Sequence, residues 1–136
     1  MLINLIQGRQ LEYAPPPIAT LLRINRERPE LLHDPKFQIH LDGGIRRGTD
    51  VLKAMCLGAS SVGLGRPTLY SQTCYGDAGV SRMLQILTDE VQSGMRLLGV
   101  TKVGDLHPGL LELLQSPNAL SGERLGESGN NSSGRS

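Results

Sequence analysis

Three arginines and a run of glycines are the residues of this chain best suited to chemistry. They lie in F-Q-I-H-L-D-G-G-I-R-R-G-T-D-V-L-K-A-M-C-L-G-A-S-S-V-G-L-G-R-P, from Phe37 to Pro67. Asp42-Gly43-Gly44 is followed by Arg46 and Arg47, and Gly65 stands directly before Arg66. A guanidinium presents a fork of donors that matches phosphate oxygens two at a time. Glycine adopts backbone angles closed to other residues and lets a ligand approach the main chain. Two glycine turns, each beside arginine, describe a site for an anion, most simply a phosphate. Arg47 has two readings of equal weight, a phosphate contact or a solvated charge at a helix entry.

The surrounding elements must bring the two turns together. Phe37, Ile39 and Leu41 alternate with Gln38 and His40, the period of a strand. Thr49 or Asp50 can cap the helix that follows, with Val51, Leu52, Met55 and Leu57 as its apolar positions and Gly58 as its left-handed stop. Ser61 to Leu64 reads as a short strand. Two successive strands therefore end in glycine turns. Before them, Met1 to Ile6 reads as a remnant strand, with Arg9 in the turn after it. Pro17 opens a helix whose apolar face is Ile18, Leu21 and Leu22 and whose Arg23, Arg26 and Arg28 face solvent. Thr68 to Gly79 reads as a loop. From about Ala78, Val80, Met83, Leu84, Leu87, Val91, Met95 and Leu98 make an amphipathic helix of about five turns, ended by Gly99 and packed on a sheet. Val103 to Leu114 reads as a short closing segment, and residues 116–136, rich in serine, glycine and asparagine, as a disordered tail.

Composition narrows the classes. At 136 residues and a formal net charge of +1, the chain has no global field that would draw nucleic acid or an anionic membrane. Cys56 and Cys74 are eighteen apart, with no C-x-x-C or H-E-x-x-H, so neither a disulfide framework nor a metal site is expected. The apolar start is too short to span a bilayer and carries no leader pattern, so a soluble, intracellular chain is expected. Strands alternating with helices imply parallel βαβ units. The doubly wound fingerprint G-x-G-x-x-G is absent, whereas glycine turns after consecutive strands suit the (β/α)8 barrel, whose phosphate site follows strands seven and eight.

From about Gly8 to Leu114 the chain resembles the last βα units of the FMN-dependent α-hydroxy-acid dehydrogenase/oxidase family. The match rests on L-D-G-G-I-R-R-G-T-D-V-L-K-A-M-C-L-G-A-S-S-V-G-L-G-R-P, with G-R-Q-L-E-Y-A-P-P-P-I before it and M-R-L-L-G-V-T-K-V-G-D-L after it. The flanking segments look more like the cytochrome-linked L-lactate dehydrogenase branch than the glycolate oxidase branch. The resemblance implies an FMN site, a small 2-hydroxy acid substrate and an α/β fold: the C-terminal portion of a (β/α)8 TIM barrel, about strands six to eight, over residues 1–115. It implies that Asp42 bonds the ribityl chain, that Gly43, Gly44, Ile45 and Gly65 present backbone to FMN, and that Arg46 and Arg66 pair with its phosphate. Arg9 would hold the substrate carboxylate.

One departure touches the chemistry. The family's S-N-H-G-G-R-Q carries the histidine that takes the substrate proton, and Ile6 stands at its position here. A positioned base contributes ~10²–10⁴-fold, and isoleucine cannot serve as one. A whole barrel needs roughly 250 residues, so this chain holds about its final third. Unpaired strand edges then invite association with itself or completion by another barrel chain. Two readings of function follow: an FMN-binding part of an oxidoreductase converting L-2-hydroxy acids, L-lactate foremost, to 2-oxo acids, or a catalytically silent remnant that keeps the FMN pocket or docks on a full-length homologue. Another phosphate-binding barrel is the least favoured.

Overall fold

The computed structural model describes residues 2–4, 15–34 and 36–112. Ile6 and Arg9 lie outside these residues, as does the stretch expected to form the tail. Three strands form one parallel sheet: β1 (Leu2–Asn4), β2 (Gln38–Asp42) and β3 (Ser61–Gly63), in the order β1-β2-β3. Registered partners run Leu2 to Gln38, Asn4 to His40, His40 to Ser61 and Asp42 to Gly63. The last pair matters most, because it aligns the ends of β2 and β3 and so sets their following turns side by side.

Helices make the crossovers. Between β1 and β2 lie α1 (Pro17–Glu27) and the short α2 (Glu30–His33). Pro17 opens α1, its fixed φ suiting the first turn where no intrahelical donor is needed. Between β2 and β3 runs α3 (Gly48–Cys56). Gly58 follows it at φ 97°, a conformation that would strain any side chain and that brings the backbone close to Leu32.

The sheet has two unlike faces. Ile39 and Leu41 are 1% exposed and pack with Leu21 of α1 and Ala54 of α3, with Leu57 and Ala59 closing the cluster. Gln38, His40 and Asp42 point the other way by the alternation of a strand. On that side Gln38 is exposed, and His40 Nδ1 meets the hydroxyl of Ser61. Helices therefore cover the apolar face, while among the described residues the polar face and the outer edges of β1 and β3 have no covering element.

Two expectations are corrected here. Thr68 to Gly79 is not a loop. It is mostly helical, part of α4 (Arg66–Leu98), which breaks at Gly76 where φ is 59° and ψ is −145°. Hydroxyls of Thr68 and Thr73 bond back to the carbonyls of Leu64 and Leu69, which satisfies these side chains inside the helix. Gly79 is buried at the bend, where an added Cβ would lie 2.3 Å from the Ser71 carbonyl oxygen. The second correction concerns packing. The helix after the bend lies on α3 rather than on the sheet, so closely that a Cβ on Gly94 would stand 2.3 Å from Leu52 Cδ1. That single helical neighbour leaves the apolar stripe only half covered, and Leu84 is 48% exposed. Gly99 ends α4 at φ 72°, its amide closing on the Arg96 carbonyl. Two 3-10 turns, Val103–Asp105 and Pro108–Leu110, follow, and Leu111 returns to the core.

Candidate functional site

The turns after β2 and β3 enclose a cleft of about 490 Å³. Asp42, Gly43, Gly44, Ile45 and Arg46 line it from the first turn, and Gly63, Gly65, Arg66, Pro67 and Tyr70 from the second. All seven cleft positions singled out in the sequence are thus together at one end of the sheet. Arg9, expected near them, lies outside the described residues.

Local conformation explains the first turn. Gly43 and Gly44 have φ of 95° and 83°, so the chain reverses through angles that side chains rarely adopt. Ile45 then drives its side chain into the core, 6% exposed, and anchors the turn while its backbone faces the cleft. Asp42 ends β2 half-buried beside the glycine of β3, and a Cβ on Gly63 would come within 3.1 Å of its carboxyl group. Gly63 therefore makes room for Asp42. Gly65 has a negative φ of −98° and open space where a Cβ would be, so it is the least constrained glycine of the cleft.

The electrostatics favour an anion. Two arginines, Arg46 and Arg66, and one carboxylate residue, Asp42, line the cleft. Neither guanidinium has an acidic partner or hydrogen bond among the described residues, and both residues are exposed. The amides of Gly44, Ile45, Gly65 and Arg66 likewise donate to no described group. Free donors and free positive charge thus converge on one cavity. Among the described residues no group of three or more His, Cys, Asp or Glu could hold a metal ion.

Arg47 turns away. It is not among the cleft residues, and its Nη1 lies 3.3 Å from Glu90 Oε1 on α4. The capping of α3 also differs from expectation. Arg47, not Thr49 or Asp50, is the N-cap, and Asp50 reaches back from the third position to accept the amides of Arg46 and Arg47 at 3.1 Å each. A carboxylate at that position satisfies orphan donors and complements the positive end of the helix. Gly63, Pro67, Tyr70 and Glu90 were not singled out as site residues in the sequence. Tyr70, one turn after Arg66, shares its side of a helix only if that stretch is helical, while Glu90 is forty-two positions from the amide it meets.

The sequence model of the FMN-dependent dehydrogenase family matches residues 7–113. The chain is 52% identical over 105 residues to L-lactate dehydrogenase (cytochrome) of Wickerhamomyces anomalus, and 50% identical over 106 residues to that of Saccharomyces cerevisiae. Those alignments cover 77% and 78% of this chain and 18% of each relative. Glycolate oxidase 3 of Oryza sativa is 46% identical over 99 residues, covering 73% of this chain and 26% of the relative. Among solved structures, a flavocytochrome b2 variant with sulfite bound superposes with a TM-score of 0.77 at 39% identity, over 98% of this chain and 37% of the other. The flavin-binding domain of baker's yeast flavocytochrome b2 gives 0.74 at 43% identity, over 95% of this chain and 32% of the other. The chain therefore spans about a fifth of the length of the lactate dehydrogenases and about a third of the matched structures. The chain belongs to the FMN-dependent dehydrogenase family.

Proposed function

We propose that residues 42–46 and 63–67 hold the phosphate and ribityl end of FMN. In the same reading the chain is the segment around strands six to eight of a (β/α)8 barrel in an oxidoreductase that converts L-2-hydroxy acids, L-lactate foremost, to 2-oxo acids. The observation that carries this reading is the pair Arg46 and Arg66, without an acidic partner among the described residues, lining one cleft at the aligned ends of two parallel strands. Barrel enzymes place phosphate at this point, after consecutive late strands and at the start of a following helix. The names of the relatives, a lactate dehydrogenase and a glycolate oxidase, support a 2-hydroxy acid as substrate.

The residues fit the group. Arg46 and Arg66 would neutralise the phosphate with charge-assisted hydrogen bonds, and the free amides of Gly44, Ile45, Gly65 and Arg66 would donate to its oxygens. Asp42, with its carboxylate given space by Gly63, would accept from a ribityl hydroxyl. Positive-φ glycines at 43 and 44 keep the floor of the cleft free of side chains. When bound, FMN supplies the acceptor for the two electrons that leave the hydroxy acid. Arg9 would bind the substrate carboxylate. The polar sheet face bearing Gln38 and His40 would line the barrel interior, and the outer edges of β1 and β3 would pair with further strands of the same or another chain.

A second reading is favoured by Ile6. At the position of the family's proton acceptor it offers no base, so this chain, taken alone, would keep the cofactor pocket without oxidising the substrate. One experiment separates the readings. The chain is purified with FMN, and flavin absorbance is recorded before and after L-lactate. Retained flavin with no bleaching is expected of the chain alone; turnover refutes the silent reading, and absence of bound flavin refutes the pocket. Replacing Arg46 or Arg66 by alanine should weaken FMN binding about 10- to 100-fold, the worth of one charged hydrogen-bonded contact.

A further inference from the structure

The start of α3 has the geometry of an anion site, yet it is already filled from within. Three successive amides leading into it are engaged. Those of Arg46 and Arg47 donate to Asp50 Oδ2 at 3.1 Å, and that of Gly48 donates to Glu90 Oε2 at 2.6 Å. The other oxygen of Glu90 lies 3.3 Å from Arg47 Nη1. Glu90 thus crosses from α4 and engages both a backbone donor and the second arginine of I-R-R-G. The approach is close because position 48 has no side chain, and a Cβ there would lie 2.5 Å from that of Glu90.

We propose that Glu90 is a positioning residue for the anion cleft. It locks the first turn of α3 against α4, which aims Arg46 into the cleft, and it draws Arg47 out of it. Phosphate affinity then comes from Arg46 and Arg66, with the two adjacent arginines divided between a ligand role and a structural one. The division has a physical cause. Glu90 has only 29% of its side chain exposed, and a carboxylate so placed is most stable with its charge paired and its lone pairs filled. Gly48 and Arg47 meet both needs. Arg46, one residue earlier, has its amide tied to Asp50, and its guanidinium has no partner among the described residues.

This inference rests on the cleft being the FMN-phosphate site, so its test carries a control for that reading. The full 136-residue chain is titrated with FMN by flavin fluorescence at low and near-physiological salt. Arg46→Ala should weaken binding about tenfold or more, while Arg47→Ala should change it by less than about threefold. Glu90→Ala, which orphans the Gly48 amide and frees the turn, should weaken it about tenfold. Glu90→Gln keeps an acceptor for Gly48 but releases Arg47. Its affinity should stay within about threefold of wild type, with a steeper loss as salt rises because a third cation then acts on the phosphate. A merely structural Glu90 would lower melting temperature in both variants without changing the salt dependence, and that result overturns the proposal. Arg47→Ala as damaging as Arg46→Ala also overturns it. Should Glu90→Ala fail to fold, Arg47→Ala and Glu90→Gln still decide. If Arg46→Ala leaves FMN binding intact, the cleft reading itself fails and takes this inference with it. Weakening by Arg46→Ala with none from Glu90→Ala refutes the inference alone.

Discussion

Replacing Gly48 by alanine tests how α3 and α4 are held together. The added methyl would sit 2.5 Å from Glu90 Cβ, 2.6 Å from the Val91 amide nitrogen and 2.8 Å from the Glu90 carbonyl carbon. Non-bonded carbons rest near 3.5–4.0 Å, so the helices must part by roughly 1 Å. Overpacking of that kind costs about 1–3 kcal/mol. The 2.6 Å bond from the Gly48 amide to Glu90 would stretch as well, and losing a hydrogen bond to a charged group costs about 1.5–3 kcal/mol. Alanine recovers at most about 1 kcal/mol of helix propensity. The expected net loss is about 2–4 kcal/mol, a large part of the roughly 5–15 kcal/mol that stabilises a domain. At roughly 2–8 °C per kcal/mol, melting should fall by on the order of 10 °C. Circular dichroism melts and urea titrations measure it, with two cleft glycines as internal controls. Gly44→Ala meets no atom within 4 Å but must hold φ near 83°, a strain of about 1–2 kcal/mol. Gly65→Ala meets nothing within 4 Å at φ −98°, ψ −90° and should cost about 1 kcal/mol or less. The order of damage is therefore 48, then 44, then 65. A Gly48→Ala chain that melts with wild type, or an inverted order, refutes the close approach of the two helices.

Two further predictions concern other parts of the chain. Cys74 is exposed and Cys56 buried, and burial pushes the Cys56 thiol up, against a smaller opposing effect of the His107 backbone. A thiol reagent should therefore modify Cys74 first and Cys56 only as the chain unfolds. Because the folded value is raised, the stability lent by Cys56 is complete below the unfolded thiol's pKa, roughly 8.5, and is lost as pH rises through the folded value. Rapid, simultaneous labelling of both cysteines at neutral pH would contradict this. Gly76→Ala places a side chain at φ 59°, ψ −145°, and should cost about 1–3 kcal/mol while displacing Tyr70 from the cleft wall. Its melting temperature and FMN affinity should fall together, and an unchanged affinity would separate the bend from the site.

Much of the site was legible because its signals are short-range. Alternation of Ile39 and Leu41 with polar neighbours marked β2, Asp42-Gly43-Gly44 marked its end, and Gly58 and Gly99 marked turns that require positive φ. The misreading of Thr68 to Gly79 has a local cause too. Threonine, serine, tyrosine and glycine carry little helix signal, and the close packing of Gly79 over Ser71 at the bend joins residues eight apart. The stripe of α4 had the right period but did not say what it would meet, and α3 rather than the sheet lies against it.

The sequence by itself pointed to seven of the ten residues lining the cleft and to the family, because glycine turns and guanidinium forks act through backbone angles and chemistry set by residue type. Tertiary structure alone decided which of the adjacent arginines stays free. Arg47 and Arg46 are identical in type and neighbours in the chain, and only the arrival of Glu90 from α4 pairs one and leaves the other to the cleft. Register did the same for Asp42 and Gly63, which meet because β2 and β3 align there. Contacts between residues twenty or forty apart depend on how helices and strands stack, and no local pattern of residues encodes that stacking.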